Sequence, residues 1–197
     1  MVGDEAELLP VLVTPRLRLR CWRPEDAAAL SANLTPAVTR WLNSWPDSAT
    51  IALAAQRIAE AREGVREGCH VSFAIERRSD GVVIGGFGGG ERGRPERVEI
   101  GYHLAEGAHG QGYMTEAATA GLAALWRLLP VQVIEAQTQP ANLASRAILT
   151  RLGMRFVEER PVYSPVRGAW EPGCWYEIER PRALSDEADS AHRQKKR

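Results

Sequence analysis

Two glycines separated by one residue lie between a predicted strand and a predicted helix, and this junction constrains the fold more than any other feature of the chain. The strand is predicted over residues 97–104, the glycines are Gly110 and Gly112, and an apolar stripe of helical spacing runs from about residue 111 to residue 129. Glycine permits left-handed backbone, and a helix start presents free N–H groups at the positive end of its dipole. The junction is therefore suited to bind a phosphate or diphosphate, and a tight turn without a ligand is the alternative.

The spacing of apolar residues along the chain predicts a single α/β domain. The predicted order is strand, two helices, three strands, helix, strand, helix and two strands. This order favours a mixed, mostly antiparallel sheet with helices on both faces. The domain is predicted over residues 13–180, between an N-terminal extension (residues 1–12) and a polar tail (residues 181–197) that we expect to be disordered. Within it, Asp47 or Ser48 is expected to cap a helix that runs to about Glu67.

Composition and charge argue against several classes of function. The 25 basic residues balance 25 acidic ones, so the chain lacks the basic excess that typically grips a nucleic-acid backbone. The three cysteines fit neither a disulfide framework nor a zinc spacing, and the four histidines form no paired ligand motif, so we expect no metal. No apolar run reaches the roughly 18 residues of a membrane span, and the N-terminus does not resemble a signal peptide. A cytoplasmic protein without a membrane partner is expected.

The strand that precedes the glycines carries a carboxylate in an otherwise apolar segment. Alternation places Glu99, Gly101 and His103 on one face, opposite the apolar side chains that include Tyr102 and Leu104. A partly buried carboxylate can serve as a general base near neutral pH, and an exposed or salt-bridged glutamate is the alternative. His103 shares the face as either a core histidine or a second catalytic group.

A second helix start carries two polar residues one turn apart. Asn142 is placed to cap the free N–H groups of a helix, and Ser145 follows on its first turn. Capping alone would account for the asparagine. Two tryptophans, Trp41 and Trp45, lie between the first helices and are expected either to wall an acceptor pocket or to cover the core. Tyr163 and Trp170 are weaker candidates of the same kind.

The run from His109 to Ala117 and the run from Pro140 to Ser145 together resemble the acyl-coenzyme A site of the GNAT superfamily of N-acetyltransferases. The resemblance is greatest to the ribosomal-protein-alanine branch, the RimJ/RimL type. It spans about residues 13–180 and is specific only between Glu99 and Met154. The superfamily pattern Gln/Arg-x-x-Gly-x-Gly/Ala is matched strictly only by Gly112, since His109 takes the first position and Met114 the last.

The resemblance implies the GNAT acyl-CoA N-acyltransferase fold and acetyl-CoA as co-substrate. It implies that the diphosphate binds the backbone of residues 110–114, that the pantetheine pairs with the strand near its end, and that Ser145 lies near the thioester sulfur as a general acid. Glu99 takes the role of general base, and Glu99 and Ser145 are the expected catalytic residues. The residues expected to contact the co-substrate are Tyr102, His103, Leu104, His109, Gly110, Gln111, Gly112, Tyr113, Met114, Asn142 and Ser145.

The acceptor is expected to be a primary amine that attacks the thioester directly through a tetrahedral intermediate, so no enzyme nucleophile is needed. The branch favours a protein or peptide N-terminal α-amine, with Trp41 and Trp45 lining the acceptor cleft. A small amine, such as an aminoglycoside, a polyamine or an amino-acid-like toxin, is the first alternative. A non-catalytic acyl-CoA-binding protein is the second. The sequence leaves a homodimer open.

Overall fold

The computed structural model describes residues 8–91, 93–94 and 96–181. Residues 1–7 of the predicted extension and residues 182–197 of the predicted tail lie outside the described residues. The helices are α1 (Ala27–Asn33), α2 (Pro36–Thr39), α3 (Ile51–Arg66), α4 (Tyr113–Leu128) and α5 (Leu143–Arg151). The strands are β1 (Leu12–Val13), β2 (Leu17–Cys21), β3 (His70–Arg77), β4 (Val83–Glu91), β5 (Arg97–Leu104), β6 (Val133–Thr138), β7 (Arg155–Glu159), β8 (Val162–Ser164), β9 (Ala169–Glu171) and β10 (Cys174–Glu179).

Eight of these strands form one sheet in the order β1-β2-β3-β4-β5-β6-β10-β7, and β8 pairs only with β9. The β5–β6 pair is parallel, and the other pairs in the sheet are antiparallel. Successive side chains on β3 pack into two separate hydrophobic cores, one on each face of the sheet. Phe73 packs with α4 on one face, and Ala74 packs with α1 and α3 on the other. The predicted mixed, mostly antiparallel sheet with helices on both faces is confirmed.

Local details differ from the sequence-based expectations. Helix α4 begins at Tyr113, two residues later than predicted, because Gly112 adopts a left-handed conformation with φ of 77° and serves as the N-cap. Helix α3 is capped by Thr50, whose hydroxyl accepts a hydrogen bond from the Leu53 N–H at 3.2 Å, and neither Asp47 nor Ser48 has this role. The loop before the last strand contains the β8–β9 hairpin, which the pattern did not predict.

Strands β5 and β6 diverge near the middle of the sheet. They pair in parallel as far as Ile100 and Ala136. Beyond this point β5 continues to Leu104 and β6 to Thr138 without pairing to each other. The sheet therefore has a wedge-shaped opening between two of its central strands, and backbone polar groups along its edges are left for another partner.

Candidate active site

A cleft of about 1600 Å³ occupies the opening between β5 and β6 and connects the two faces of the sheet. Glu99 and His103 line it on the face that carries α1 and α3, whereas Tyr102 and Ser145 line it on the face that carries α4 and α5. A molecule that threads the opening can therefore touch both sets of side chains.

The glycine loop lies at one end of this cleft, at the start of α4. Gly110 and Gly112 have φ angles of 73° and 77°, a conformation that a β-carbon strains. The Gly112 carbonyl already accepts the first helical bond, from the Glu116 N–H at 3.1 Å. The N–H groups at the start of the helix have no intrahelical acceptor and lie at the positive end of the helix dipole, so the loop is a geometrically suitable anion site.

The His109 side chain contacts the end of the preceding strand. Nε2 of His109 donates a hydrogen bond to the carbonyl oxygen of Leu104 at 3.0 Å, which ties the end of β5 to the loop. The guanidinium that lies against the loop comes from Arg16, between β1 and β2. It donates to the Gln111 carbonyl at 2.8 Å through Nη1 and packs 4.5 Å from the centre of the Tyr113 ring.

Arg16 is anchored by the first turn of α4. Its Nε donates to a carboxylate oxygen of Glu116 at 2.7 Å, and the other carboxylate oxygen accepts from the Thr14 hydroxyl at 2.6 Å and the Arg16 N–H at 2.9 Å. Burial opposes ionisation of Glu116, but the hydrogen bonds from Thr14 and Arg16 outweigh it and hold the pKa of that carboxyl below its usual value. Sequence reasoning missed Arg16 because its partner Gln111 is 95 residues away.

Two hydroxyl groups meet on the α5 side of the cleft. The hydroxyl of Tyr102 lies 2.9 Å from Oγ of Ser145, and the Ser145 N–H donates to Oδ1 of Asn142 at 3.1 Å. Asn142 is thus the N-cap of α5, as predicted. Burial raises the pKa of Tyr102 to about 12, so the phenol keeps its proton at neutral pH. The hydroxyl contact joins residues 43 positions apart, and the sequence does not predict it.

His103 and Glu99 share the opposite face, as alternation predicted. The His103 ring stacks on Trp22 with centroids 6.5 Å apart and an interplanar angle of 10°. Burial lowers the pKa of His103 to about 4, so the ring is neutral at pH 7. Its Nε2 is buried without a hydrogen-bond partner among the described residues. His103 therefore forms an uncharged aromatic wall beside Gly101, and Glu99 lies on the far side of that glycine.

Strand alternation also decides which backbone groups face the opening. The Ala105 N–H donates to the Ile84 carbonyl at 2.8 Å, so Ala105 and His103 direct their backbone groups toward β4. The backbone groups of Tyr102 and Leu104 point toward the opening instead. The backbone groups of His103 are therefore directed away from the opening.

The segment between α2 and α3 forms one wall of the cleft and contains both Trp41 and Trp45. This wall is held from outside: the Leu42 carbonyl accepts from Arg167 at 3.3 Å, and the Asn43 carbonyl accepts from Ser164 at 2.9 Å. The β8–β9 hairpin thus supports the wall.

The other aromatic candidates, Tyr163 and Trp170, lie on the hairpin itself. Their ring centroids are 5.5 Å apart. Neither side chain is among the described residues that line the cleft. These two rings therefore lie outside the cleft.

Several other features of the described residues bear on function. Cys21, Cys69 and Cys174 are free thiols. Within residues 8–91, 93–94 and 96–181, no group of three or more histidine, cysteine or carboxylate side chains is placed to hold a metal ion. In the same part of the chain, no helix has both the length and the apolar character needed to cross a membrane.

Comparison with protein families gives a match to the acetyltransferase (GNAT) domain over residues 16–155. The match includes the glycine loop, β5 and α5, which are the elements that build the cleft. The chain belongs to the GNAT acetyltransferase family.

Individual relatives agree with this assignment. The chain is 30% identical over 118 residues to "Probable N-acetyltransferase YjcK" of Bacillus subtilis, a match that covers 59% of this chain and 65% of that relative. RimJ of Mycobacterium smegmatis, solved in complex with CoA-disulfide, superposes with a TM-score of 0.69 at 27% identity, covering 83% of this chain and 81% of that one. An acetyltransferase of Salmonella typhimurium that modifies the N-terminal serine of ribosomal protein L7/L12 shares the fold, with a TM-score of 0.75 at 15% identity, covering 87% and 100% of the two chains.

Proposed function

We propose that this protein is an N-acetyltransferase that moves an acetyl group from acetyl-CoA to the α-amine of a peptide or protein. The observation that carries the proposal is the cleft through the sheet, which joins a helix start with free N–H groups on one side to the Glu99 carboxylate on the other. Related proteins support it: RimJ was solved with a CoA disulfide, and the Salmonella enzyme modifies an N-terminal serine.

The co-substrate fits the α4 side of the cleft. The N–H groups of residues 110–114 and the Arg16 guanidinium would hold the diphosphate. The unpaired backbone of Tyr102 and the Leu104 N–H would hydrogen-bond the pantetheine amides as an added strand does. This path leads from the glycine loop to Ser145, where the thioester sulfur would lie near the Tyr102–Ser145 hydroxyl pair.

The residues around the opening can move the protons that the transfer requires. Glu99 would take a proton from the acceptor ammonium and release it to solvent, and the neutral amine then attacks the thioester carbonyl carbon to form a tetrahedral intermediate with its negative charge on oxygen. As the intermediate collapses, the carbon–sulfur bond breaks and the second amine proton passes to Glu99. Ser145 would donate its proton to the departing thiolate and recover one from solvent, while Tyr102 stays protonated and donates a hydrogen bond to Ser145 Oγ.

A small-molecule amine is the second candidate for the acceptor, because a cleft of about 1600 Å³ whose lining includes Trp41 and Trp45 can also hold a compact amine. Catalytically silent binding of acyl-CoA is the third candidate. The cytoplasmic location expected from the sequence belongs to the same proposal.

Release of the coenzyme A thiol over a panel of amines tests this assignment. We expect turnover on peptides with a free α-amine, with the product acetylated at that nitrogen, and no turnover on peptides whose α-amine is blocked. Turnover on aminoglycosides or polyamines alone would replace the peptide acceptor by a small amine. Tight acetyl-CoA binding without turnover on any amine would show that the protein binds acyl-CoA without catalysis.

Replacing Arg16 with glutamine is expected to weaken acetyl-CoA binding about tenfold, because one charge-assisted hydrogen bond of about 1.5 kcal/mol is lost from the diphosphate. Isothermal titration of acetyl-CoA and of acetyl-pantetheine, which lacks the diphosphate, measures the effect. The affinity for acetyl-CoA should fall, whereas the affinity for acetyl-pantetheine should not change.

Arg18→Gln is the matched control, since Arg18 has a similar side-chain exposure, 51% against 46%, and pairs with Glu76 rather than Glu116. It should leave both affinities unchanged. An equal loss for the two ligands in Arg16→Gln would show that Arg16 only supports the fold of the loop.

A further inference from the structure

The floor of the cleft between Glu99 and His103 has an unusual composition. Gly86, Gly88 and Gly90 on β4 pair with His103, Gly101 and Glu99 on β5, and paired residues share a face of the sheet. Four of these six positions therefore have no side chain on the face that carries the carboxylate.

Packing explains the glycines on β4. A β-carbon on Gly86 would lie 2.7 Å from the Trp22 ring, and one on Gly90 would lie 2.1 Å from the His70 ring. A β-carbon on Gly88 would lie 2.8 Å from the Val71 carbonyl oxygen. These three glycines are required because rings or a neighbouring strand lie directly against the backbone.

Packing does not explain Gly101. A β-carbon there would have no heavy atom of the described residues within 4 Å apart from its chain neighbours, and its φ is not in the left-handed region. Glycine inside a strand is destabilising relative to alanine, since it loses more conformational freedom on folding. The fold gains nothing from glycine at this position, so the open space above it points to a ligand.

The location of Gly101 identifies the part of the ligand that needs the space. Ile100 is the last residue of β5 that pairs with β6, and Gly101 follows it. Gly101 therefore lies where β5 and β6 begin to separate. Along the strand it lies between Glu99 and His103, each roughly 7 Å away on the same face. Under the proposed function, the amine beside Glu99 is bonded to a carbon that lies over Gly101.

We propose that Gly101 determines acceptor specificity, because its missing side chain leaves room for a substituent on the amine-bearing carbon. The acceptor class is then an α-amine, whose carbon carries a side chain and a carbonyl group, in preference to an amine at the end of an unbranched chain. The uncharged Trp22–His103 stack bounds this space on one side, which favours a small, uncharged first side chain. The inference rests on the proposed acetyl transfer to a peptide amine.

Gly101→Ala and Gly101→Val test the inference on peptides that differ only in the first residue: glycine, alanine, serine or valine. We expect kcat/KM for the alanyl, seryl and valyl peptides to fall progressively, by about tenfold for each step in size, with little change for the glycyl peptide. The affinity for acetyl-CoA should not change. The free energy of unfolding of Gly101→Ala should equal or exceed that of the wild type, because no contact is disturbed.

Gly107→Ala is the matched control, since Gly107 also has open space at its β-carbon position and no left-handed φ, but does not line the cleft. Gly107→Ala should leave kcat/KM unchanged for all four peptides. A loss in the Gly101 variants that is equal for every first residue would overturn the inference while leaving the proposed function intact. A loss of kcat/KM in the Gly101 variants that is larger with propionyl-CoA than with acetyl-CoA would also overturn the inference. It would show that the space above Gly101 holds the acyl group of the thioester. Absence of wild-type turnover on all peptides would overturn both this inference and the peptide assignment.

Discussion

Replacing Gly112 with valine is expected to reduce the affinity for acetyl-CoA by about 100-fold or more. The φ of 77° at Gly112 is unfavourable for a β-branched residue. Its β-carbon would project toward Arg16, 3.5 Å from Nη2, which is the space proposed for the diphosphate. Loss of two charge-assisted hydrogen bonds at about 1.5 kcal/mol each accounts for the size of the effect.

A control substitution at another left-handed glycine distinguishes loss of the diphosphate site from general backbone strain. Gly81, in the turn between β3 and β4, has φ of 72° and open space at its β-carbon position. Gly81→Val should lower the free energy of unfolding by a similar amount yet bind acetyl-CoA normally in a titration. Unchanged acetyl-CoA affinity in a folded Gly112→Val protein would show that the diphosphate does not bind this loop.

Replacing Glu99 with glutamine is expected to lower turnover by an amount that depends on the acceptor and on pH. Neutralising an α-amine at pH 7 costs roughly 1 kcal/mol, whereas neutralising an alkyl amine costs nearly 5 kcal/mol. We therefore expect a loss of about tenfold with a peptide α-amine and of more than about 100-fold with an alkyl amine at pH 7. The loss should shrink toward about pH 9.5, where neutral amine is supplied without a base.

The surroundings of Glu99 make this pH profile interpretable. The pKa of His103 is lowered to about 4 and that of Tyr102 is raised to about 12, so neither ring changes its charge between the two pH values. Glu91→Gln is the control, because Glu91 is an exposed carboxylate on β4 that also lines the cleft. A Glu99→Gln deficit that is the same at pH 7 and at about pH 9.5 would assign Glu99 a structural role.

Features that depend on neighbouring residues in the sequence were predicted well. The side-chain alternation along β5 separates Glu99 from Tyr102 because a strand has a period of two, whatever packs against it. The Asn142 cap and the helix after Gly112 follow from the short-range geometry of helix starts. The overall fold followed from the order of such elements.

Features that depend on distant contacts were not predicted. Arg16 reads in the sequence as one of three alternating arginines on a strand, and only the fold brings it to Gln111. Contact between the hydroxyls of Tyr102 and Ser145 requires α5 to pack on the face opposite Glu99.

The central claim is that the cleft holds both substrates at once and that the amine attacks the thioester directly. Initial rates measured while acetyl-CoA and a peptide acceptor are both varied test this claim most directly. We predict double-reciprocal lines that intersect, as a complex containing both substrates requires. Parallel lines, which indicate that an acetylated enzyme forms before the acceptor binds, would contradict the account.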